Sequence, residues 1–296
     1  MSLMLRGLAT TIGAALGSPL HAGPAARVHG GSINECYRWE SEAGPIFVKI
    51  APAERWTAFE AEALGLEELG RAAAVRVPRV LGVGMSDAHV WLALEWIQFG
   101  ARSSAAEAAL GTRLATQHRC QAQAFGWHRH NAIGSTPQLN DWQADWVAFF
   151  RERRLRYQLE LAARNGYARD LQNSGEALLS RMDPFFSGYR PAASLLHGDL
   201  WGGNWAADSR GEPVVFDPAP YYGDREADLA MTRLFGGFGA DFYAAYQQAW
   251  PPDPGYRERI GLYNLYHVLN HVNLFGDGYV PQAVEMIGRL LGELRA

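Results

Sequence analysis

The chain has 296 residues, of which 48% are hydrophobic, 12% aromatic and 20% charged. These proportions exclude a disordered or collagen-like chain, and the length allows two domains or one fold of two lobes. The net charge of −4, from 27 basic and 31 acidic residues, provides no broad positive field for nucleic acid or an anionic membrane. An anionic substrate would therefore need local groups or a metal to bind it.

The chain contains two cysteines, Cys36 and Cys120. Two thiols are too few for a disulfide framework and favour a reducing compartment, so we expect a cytoplasmic protein. Cys36 has two interpretations, a redox-active thiol or a partly buried inert one, and the second is the commoner situation.

The first 26 residues are only a weak match to a secretory signal, because polar residues and glycines interrupt the apolar stretch. Their apolar residues recur at steps of three and four, which predicts an amphipathic helix packed on a sheet. These residues are Leu5, Leu8, Ile12 and Leu16. No run of 18 apolar residues occurs, so we expect no membrane span and no membrane partner.

Short apolar runs and turn residues predict a small sheet in the first third of the chain. The predicted order is β-β-β-α-β-β, with strands at 26–29, 35–40, 46–50, 78–83 and 90–97 and a helix over 55–69. After a hinge near 98–102 the pattern becomes helical. We therefore predict an α+β fold of two lobes, a β-rich N-lobe over 1–97 and a larger, mainly helical C-lobe over 98–296.

Helices in the C-lobe are predicted from periodicity and capping residues. One predicted helix covers 105–123, and another runs from its cap at Asp141 through Arg164, with Trp142, Trp146, Phe149 and Phe150 facing inward. Two more are predicted at 175–181 and 224–250. Short strands are predicted at 194–197, 205–206 and 213–216 around a turn at 208–211. The arginines at 151, 153, 154 and 156 are expected on a solvated face.

The stretch LLHGDLWGGNWAADSRGEPVVFDP, which begins at Leu195, carries the clearest chemical signal. Asn204 follows Asp199 by five residues, and Asp217 lies thirteen residues further on, at the end of an apolar strand. This is the spacing of a kinase catalytic loop followed by a metal-binding aspartate. One carboxylate would take the proton of a hydroxyl group, while an amide oxygen and a second carboxylate would hold Mg²⁺ on nucleotide phosphates.

An alternative is a plain β-hairpin with capping Asp and Asn residues, but the lobe order favours the catalytic interpretation. His197 is expected to brace the loop through hydrogen bonds rather than transfer a proton. Asp228, near a helix start, would either brace the same loop or only favour the helix dipole.

The N-lobe supplies a candidate phosphate clamp. Lys49 lies on a predicted strand, from which its ammonium group could reach nucleotide phosphates, and Glu62 on the next helix could hold it. Glu60 is a rival, but residues two apart point about 200° away from each other on a helix. We choose Glu62 because it borders the packed stripe.

Two further segments are assigned to the nucleotide by position alone. Backbone N–H groups around Gly30, Gly31 and Ser32 could approach phosphates closely. The backbone of Glu95, Trp96 and Ile97, at the predicted hinge, would meet adenine.

The segments LLHGDLWGGN, FDPAPYYGDREADLAM and LFGGF resemble the fructosamine-3-kinase (ketosamine-3-kinase) family, within the aminoglycoside-phosphotransferase-like, protein-kinase-like superfamily. The likeness extends through FVKI and LYNLYHVLNHVNLFG and covers nearly the whole chain. It implies phosphorylation by ATP of the 3-hydroxyl of a ketosamine, free or protein-bound. Asp199 would be the base, Asn204 and Asp217 the Mg²⁺ ligands, and Lys49 with Glu62 the phosphate clamp.

The resemblance also implies a sugar pocket near His271 and Asn273, and Trp201 beside the catalytic loop is a candidate to stack on the sugar. Many family members carry a Cys in the glycine-rich loop where this chain has Ser32, so we expect no redox switch of that kind. Because Asp217 is followed by Pro218-Ala219 and no A-P-E occurs, an activation loop is not expected.

Two other functions stay open from the sequence: a kinase for another small hydroxyl compound, such as an aminoglycoside, choline or a sugar, and a nucleotide-binding pseudokinase. We expect ATP and Mg²⁺ as cofactors, a ketosamine as substrate, no nucleic-acid partner and a monomer.

Overall fold

The computed structural model describes residues 3–21, 26–28, 34–86, 88–167 and 169–294. His29 of the first predicted strand and the turn at Gly30, Gly31 and Ser32 lie outside the described residues. Within those ranges no helix combines the length and the apolar character that crossing a bilayer requires.

The N-lobe is an antiparallel five-stranded sheet in the order β1-β2-β3-β5-β4, with one helix on each face. The elements follow the order predicted from the sequence, with ends that differ by a few residues. They are α1 (Leu3–Leu16), β1 (Ala26–Arg27), β2 (Glu35–Ser41), β3 (Gly44–Pro52), α2 (Trp56–Ala72), β4 (Val80–Ser86) and β5 (His89–Glu95).

Alternation along the strands sends successive side chains to opposite faces of this sheet. Val48 and Ile50 of β3 join the core under α1, whereas Ala51 joins Leu92 and Phe59 in the core under α2. Lys49 lies between the two α1-facing residues and opposite Leu92 in the ladder. The strand period therefore points Lys49 at α2, the helix that carries Glu62.

The C-lobe consists mainly of helices. They are α3 (Ser104–His118), α4 (Trp146–Phe149), α5 (Tyr157–Arg164), α6 (Arg169–Leu179), α7 (Arg225–Leu234), α8 (Ala240–Ala249), α9 (Tyr256–Phe275) and α10 (Val280–Glu293), with a π-helical segment, Phe150–Arg156, between α4 and α5. Its short strands are β6 (Gln121–Ala122), β7 (Asn131–Ile133), β8 (Thr136–Gln138), β9 (Ala193–Leu195), β10 (Trp205–Ala207), β11 (Pro213–Val215) and β12 (Tyr222–Gly223).

Two predicted helix boundaries in the C-lobe were wrong. The cap of α4 is Asp145, whose carboxylate accepts from the N–H of Ala148 at 2.7 Å, so Asp141 lies outside the helix. Trp142, expected inside, is 47% exposed. The helix predicted over 105–123 ends at His118, and the chain then enters β6.

The helix predicted over 224–250 is broken in two. Gly236 and Gly237 both adopt positive φ angles between α7 and α8, a conformation that ends a right-handed helix. The broken segment lies against residues 197–204, the predicted catalytic loop: a Cβ on Gly202 would come within 2.7 Å of Gly236 O. The close backbone approach requires the glycines at this point.

The short strands also pair differently from the single hairpin expected. The β10–β11 hairpin is present, but β9 pairs with β12 and β6 in a separate three-stranded sheet. The β7–β8 hairpin was not predicted, because each of its strands has only three residues. Strands this short carry too little alternation to be recognised.

Arg154 corrects the prediction of a solvated arginine face. Its side chain is fully buried, with Nη1 donating to Leu139 O at 2.6 Å and Nη2 to Asn140 Oδ1 at 2.7 Å. The guanidinium also lies over the Tyr221 ring at 4.0 Å. Arg156, in contrast, forms partly exposed ion pairs with Glu152 and Glu176.

Candidate active site

A buried lysine connects the two lobes at the centre of the site. Lys49 Nζ lies 2.6 Å from Glu62 Oε1 on α2 and 2.6 Å from Asp217 Oδ1, which follows β11. Burial disfavours the ammonium ion, but the two carboxylates outweigh it and raise the pKa of Lys49 above its usual value. Lys49 is therefore charged and fixed in place. The rival Glu60 pairs instead with Arg129 at 2.7 Å.

Asp199 and Asn204 face each other across the catalytic loop. Asn204 Nδ2 donates to Asp199 O at 2.9 Å and to Asp199 Oδ2 at 3.2 Å, and lies 3.4 Å from Asp217 O. Burial and the charge of Asp217 raise the pKa of Asp199 to about 7, although the bond from Asn204 opposes the shift. The three residues that the spacing singled out thus converge on one point.

The same residues suit a magnesium ion. The Asn204 amide nitrogen is engaged with Asp199, so its oxygen is the atom that could bind a cation together with the Asp217 carboxylate. Hard oxygen donors of this kind are what Mg²⁺ prefers, and it usually takes one or two protein carboxylates together with phosphate oxygens and water. No group of three or more His, Cys, Asp or Glu side chains among the described residues could hold a metal by itself. The donor set therefore fits a metal that arrives with a nucleotide.

Asp217 has a left-handed backbone, with φ of +56°. Non-glycine residues rarely adopt this conformation, and it persists only where the surroundings enforce it. Here the ion pair with Lys49 and the hydrogen bond from Ala219 N to His197 O flank the residue. The backbone turn directs the Asp217 carboxylate towards the N-lobe.

The catalytic loop is braced from α7. Asp228 accepts from the N–H of His197 at 2.7 Å and from that of Gly198 at 2.9 Å, and His118 Nε2 lies 3.2 Å away. Burial raises the pKa of Asp228, but its hydrogen bonds and its electrostatic interactions with His118 and His197 lower it overall. Of the two roles considered for Asp228, the contacts agree with bracing of the loop.

His197 uses both ring nitrogens inside the protein. Nε2 lies 3.1 Å from Phe216 O, which can only accept, and Nδ1 accepts from the N–H of Asp199 at 3.3 Å. Burial lowers the pKa of His197 and favours this neutral tautomer. The side chain thus ties Asp199 to the strand that leads to Asp217.

At the predicted hinge, the carboxylate and the main-chain N–H of Glu95 already form hydrogen bonds within the protein. Its carboxylate binds Arg76 Nη2 at 2.6 Å and the N–H of Arg79 at 3.2 Å, and its own N–H donates to Arg79 O at 2.9 Å. Trp96 lies under the Arg38 guanidinium at 5.3 Å. Any contact of Glu95 with adenine is therefore restricted to its carbonyl oxygen.

The predicted sugar pocket is only partly assembled. Trp201 is 39% exposed and contacts Phe235 edge-on at 6.4 Å, and Phe235 in turn lies 4.8 Å from His271. Asn273 lies elsewhere: its amide nitrogen binds Gln158 Oε1 at 2.8 Å on α5. Two residues along a helix reverse the direction of a side chain, so Asn273 points away from His271, and its place in a sugar pocket stays a prediction.

Cys36 lies opposite Lys49 in the β2–β3 ladder and is buried. Burial raises the pKa of its thiol to about 11, an effect that the charge of Lys49 only partly offsets. The thiol is therefore protonated at neutral pH, which agrees with an inert rather than a redox-active cysteine.

Sequence reasoning missed two arginines at the site. Arg102, from the segment before α3, donates to Gly202 O and Trp205 O, and Arg76, after α2, binds Asp208 in the turn of the β10–β11 hairpin. Neither belongs to a motif, and the contacts of both join segments 100 or more residues apart. The Gly236–Gly237 pair carried a usable signal, because adjacent glycines indicate a helix break.

The fructosamine kinase family model matches residues 4–293. The chain belongs to this family. It is 44% identical to a probable ketoamine kinase of Synechocystis over 96% of both chains. It is 42% identical to the chloroplastic protein-ribulosamine 3-kinase of Arabidopsis thaliana, over 91% of this chain and 83% of that one.

Solved structures confirm the two-lobed, protein-kinase-like fold. A fructosamine-3-kinase family protein from Thermobifida fusca has a TM-score of 0.86 at 33% identity and covers 96% of this chain and 98% of its own. An aminoglycoside phosphotransferase in a ternary complex with ADP and hygromycin B has a TM-score of 0.64 at 14% identity, covering 97% and 98%. The second likeness concerns the fold alone.

Gly198 offers a test of how tightly the catalytic loop is held. Its φ is +83°, and a Cβ there would lie 1.9 Å from Ala219 O. We expect Gly198→Ala to displace Asp199, to lower turnover at least about a hundredfold and to cost more than about 3 kcal/mol of unfolding free energy. Turnover is measured as ADP release and stability by urea unfolding.

Gly211→Ala is the matched control, because Gly211 has a φ of +82° with no atom within 4 Å of the added Cβ. We expect it to cost about 1 kcal/mol and to leave turnover unchanged. Equal stability and equal turnover of the two variants would contradict the close packing of the loop.

Proposed function

We propose that this protein is an ATP-dependent kinase that phosphorylates the 3-hydroxyl of ketosamines, of the ribulosamine or fructosamine type, free or attached to protein. The observation that carries the proposal is the convergence of Asp199, Asn204 and Asp217 with Lys49 in a fructosamine kinase family chain. Relatives at 40–44% identity are named as ketoamine or protein-ribulosamine 3-kinases.

Asp199 is the proposed base. It would accept a hydrogen bond from the substrate hydroxyl and take its proton as the oxygen attacks the terminal phosphorus of ATP. Its contact with Asn204 holds one carboxylate oxygen, Oδ2, in a fixed position. The other oxygen, Oδ1, would then accept the hydrogen bond from the substrate hydroxyl group.

Lys49, held by Glu62, is the proposed contact for the nucleotide phosphates. Asn204 and Asp217 would hold Mg²⁺, which would neutralise charge on those phosphates. The turn at Gly30, Gly31 and Ser32 would cover them. For adenine, the main-chain groups of Trp96 and Ile97, with the Glu95 carbonyl, stay the proposed contacts, next to the hinge near 98–102.

The sugar would lie between Asp199 and the rings of Trp201 and His271. An exposed indole two residues after the base suits the apolar face of a sugar. After transfer, the phosphate is on C3, next to the C2 carbonyl. Loss of a proton from C1 gives an enaminol that expels phosphate from C3, and water then hydrolyses the resulting imine and releases the amine. Phosphorylation would thus lead to deglycation.

The cellular setting belongs to the same proposal. We propose a cytoplasmic protein, on the basis of the two cysteines, Cys36 and Cys120, which are both free thiols. The monomeric state stays a prediction. No nucleic-acid or membrane partner is proposed, because the net charge of −4 provides no broad positive surface.

Replacement of the base is the most direct test of the proposed chemistry. Asp199→Asn keeps the size of the side chain but removes the proton acceptor. We expect kcat for a ribulosamine or fructosamine substrate to fall about a thousandfold, while the Kd for ADP changes little. ADP release and calorimetric ADP binding measure the two quantities.

The wild-type substrate range accompanies this test. Ribulosamine, fructosamine and erythrulosamine are compared with an aminoglycoside, choline and free sugars. Activity confined to the second group would indicate a different small-molecule kinase, and ADP binding without any turnover would indicate a pseudokinase. Near wild-type turnover of Asp199→Asn would contradict its assignment as the base.

Glu62→Gln tests the phosphate clamp. Removal of one charge-assisted bond of about 1.5–3 kcal/mol loosens Lys49, so we expect the KM for ATP to rise about tenfold or more. Glu60→Gln is the matched control, because Glu60 lies on the same helix but pairs with Arg129. If both variants raise the KM for ATP equally, the assignment of Glu62 is wrong.

A further inference from the structure

The β10–β11 hairpin carries both proposed metal ligands at its open end. Asn204 immediately precedes β10, and Asp217 follows β11 by two residues. Trp205 pairs with Val215 at this end, and the N–H of Phe216 donates to Asn204 O at 3.0 Å. The separation between the two ligands therefore depends on how the hairpin is held.

Arg102 holds the open end. Its Nη2 donates to Gly202 O and to Trp205 O, both at 2.5 Å, so one nitrogen ties together the residues on either side of Asn204. The guanidinium also stacks on the indole of Trp205 at 4.2 Å, and that indole is fully buried. Stacking and hydrogen bonding at once require a planar guanidinium, which a lysine ammonium does not supply.

Arg76 holds the turn end from the N-lobe. Its Nη1 lies 2.5 Å from Asp208 Oδ2 and its Nη2 2.6 Å from Glu95 Oε1, so the guanidinium joins the end of the N-lobe sheet to the hairpin. Asp208 is buried and also accepts from the N–H groups of Arg210 and Glu212.

The main chain repeats this connection. The N–H of Val215 on the hairpin donates to Arg76 O at 2.9 Å. The N–H of Gly100 in the hinge segment donates to Ala207 O on the hairpin at 2.9 Å. Arg76 thus fixes the turn of the hairpin to the N-lobe. Arg102 fixes its open end to the hinge segment.

We propose that Arg102 and Arg76 are positioning residues that set the affinity for the divalent metal accompanying the nucleotide, by fixing the hairpin that bears Asn204 and Asp217. This inference rests on the proposed function, which assigns those two residues to the metal. Side chains that hold metal ligands in place typically change metal affinity 10–100-fold when they are altered.

The test compares ADP binding with and without metal. Isothermal titration calorimetry gives the Kd of ADP in EDTA and in excess Mn²⁺. The Kd in EDTA divided by the Kd in Mn²⁺ reports how much the metal tightens ADP binding. In Arg102→Lys and in Arg76→Lys we expect this ratio to fall about tenfold relative to wild type, while the Kd in EDTA changes less than twofold. Both variants keep the positive charge.

Arg113→Lys is the matched control. Arg113 pairs with Glu212 on the same hairpin, but this ion pair is partly exposed, and the Arg113 guanidinium binds Glu212 rather than Asn204 or Asp208. We expect it to match wild type. Thermal unfolding of all four proteins separates a general loss of stability from a loss of metal affinity.

Three results would overturn the inference. If Arg102→Lys and Arg76→Lys lower the Tm but keep the wild-type metal ratio, the arginines are only structural. If Arg113→Lys loses as much as they do, the hairpin ends have no special role. If Mn²⁺ does not tighten ADP binding to the wild type, the assignment of Asn204 and Asp217 as metal ligands is wrong, and the proposed function is contradicted as well.

Discussion

The structure of the site depends on one buried ammonium group, that of Lys49, held between a carboxylate from each lobe. A charge removed from water must be paired, and Glu62 and Asp217 do this at 2.6 Å each. The pairing requires β3 to point Lys49 at α2, α2 to present Glu62, and the chain after β11 to turn sharply at Asp217. Strand period, helix register and backbone conformation are therefore tied to one contact that joins the two lobes.

The C-lobe also holds α2 in the position that this contact requires. Glu68 accepts from Tyr222 Oη at 2.7 Å, and Gly65 packs so closely on Pro220 that a Cβ would come within 2.7 Å of its ring. Two points along α2 are thus bound to C-lobe segments. The Lys49–Glu62 pair is thus assembled by packing of α2 against the C-lobe.

Much of this site could be predicted from the sequence because its signals are local. The spacing of Asp199, Asn204 and Asp217 lies within one strand–loop–strand segment, and the choice of Glu62 over Glu60 follows from helix geometry. Arg154 was misjudged because its surroundings come from distant parts of the chain. A charged residue in an arginine-rich run is usually exposed, and only the fold shows the Arg154 guanidinium over the Tyr221 ring. No spacing rule links Arg76 to Asp208, 132 residues away.

The central claim is that this site places the phosphoryl group on the 3-hydroxyl of a ketosamine. It is tested most directly by identifying the product made from a fructosamine and ATP, using phosphorus–proton correlation NMR. The account predicts a phosphate coupled to the proton on C3, followed by release of inorganic phosphate and the free amine. A phosphate on any other hydroxyl, or ATP hydrolysis with the ketosamine unchanged, would contradict it.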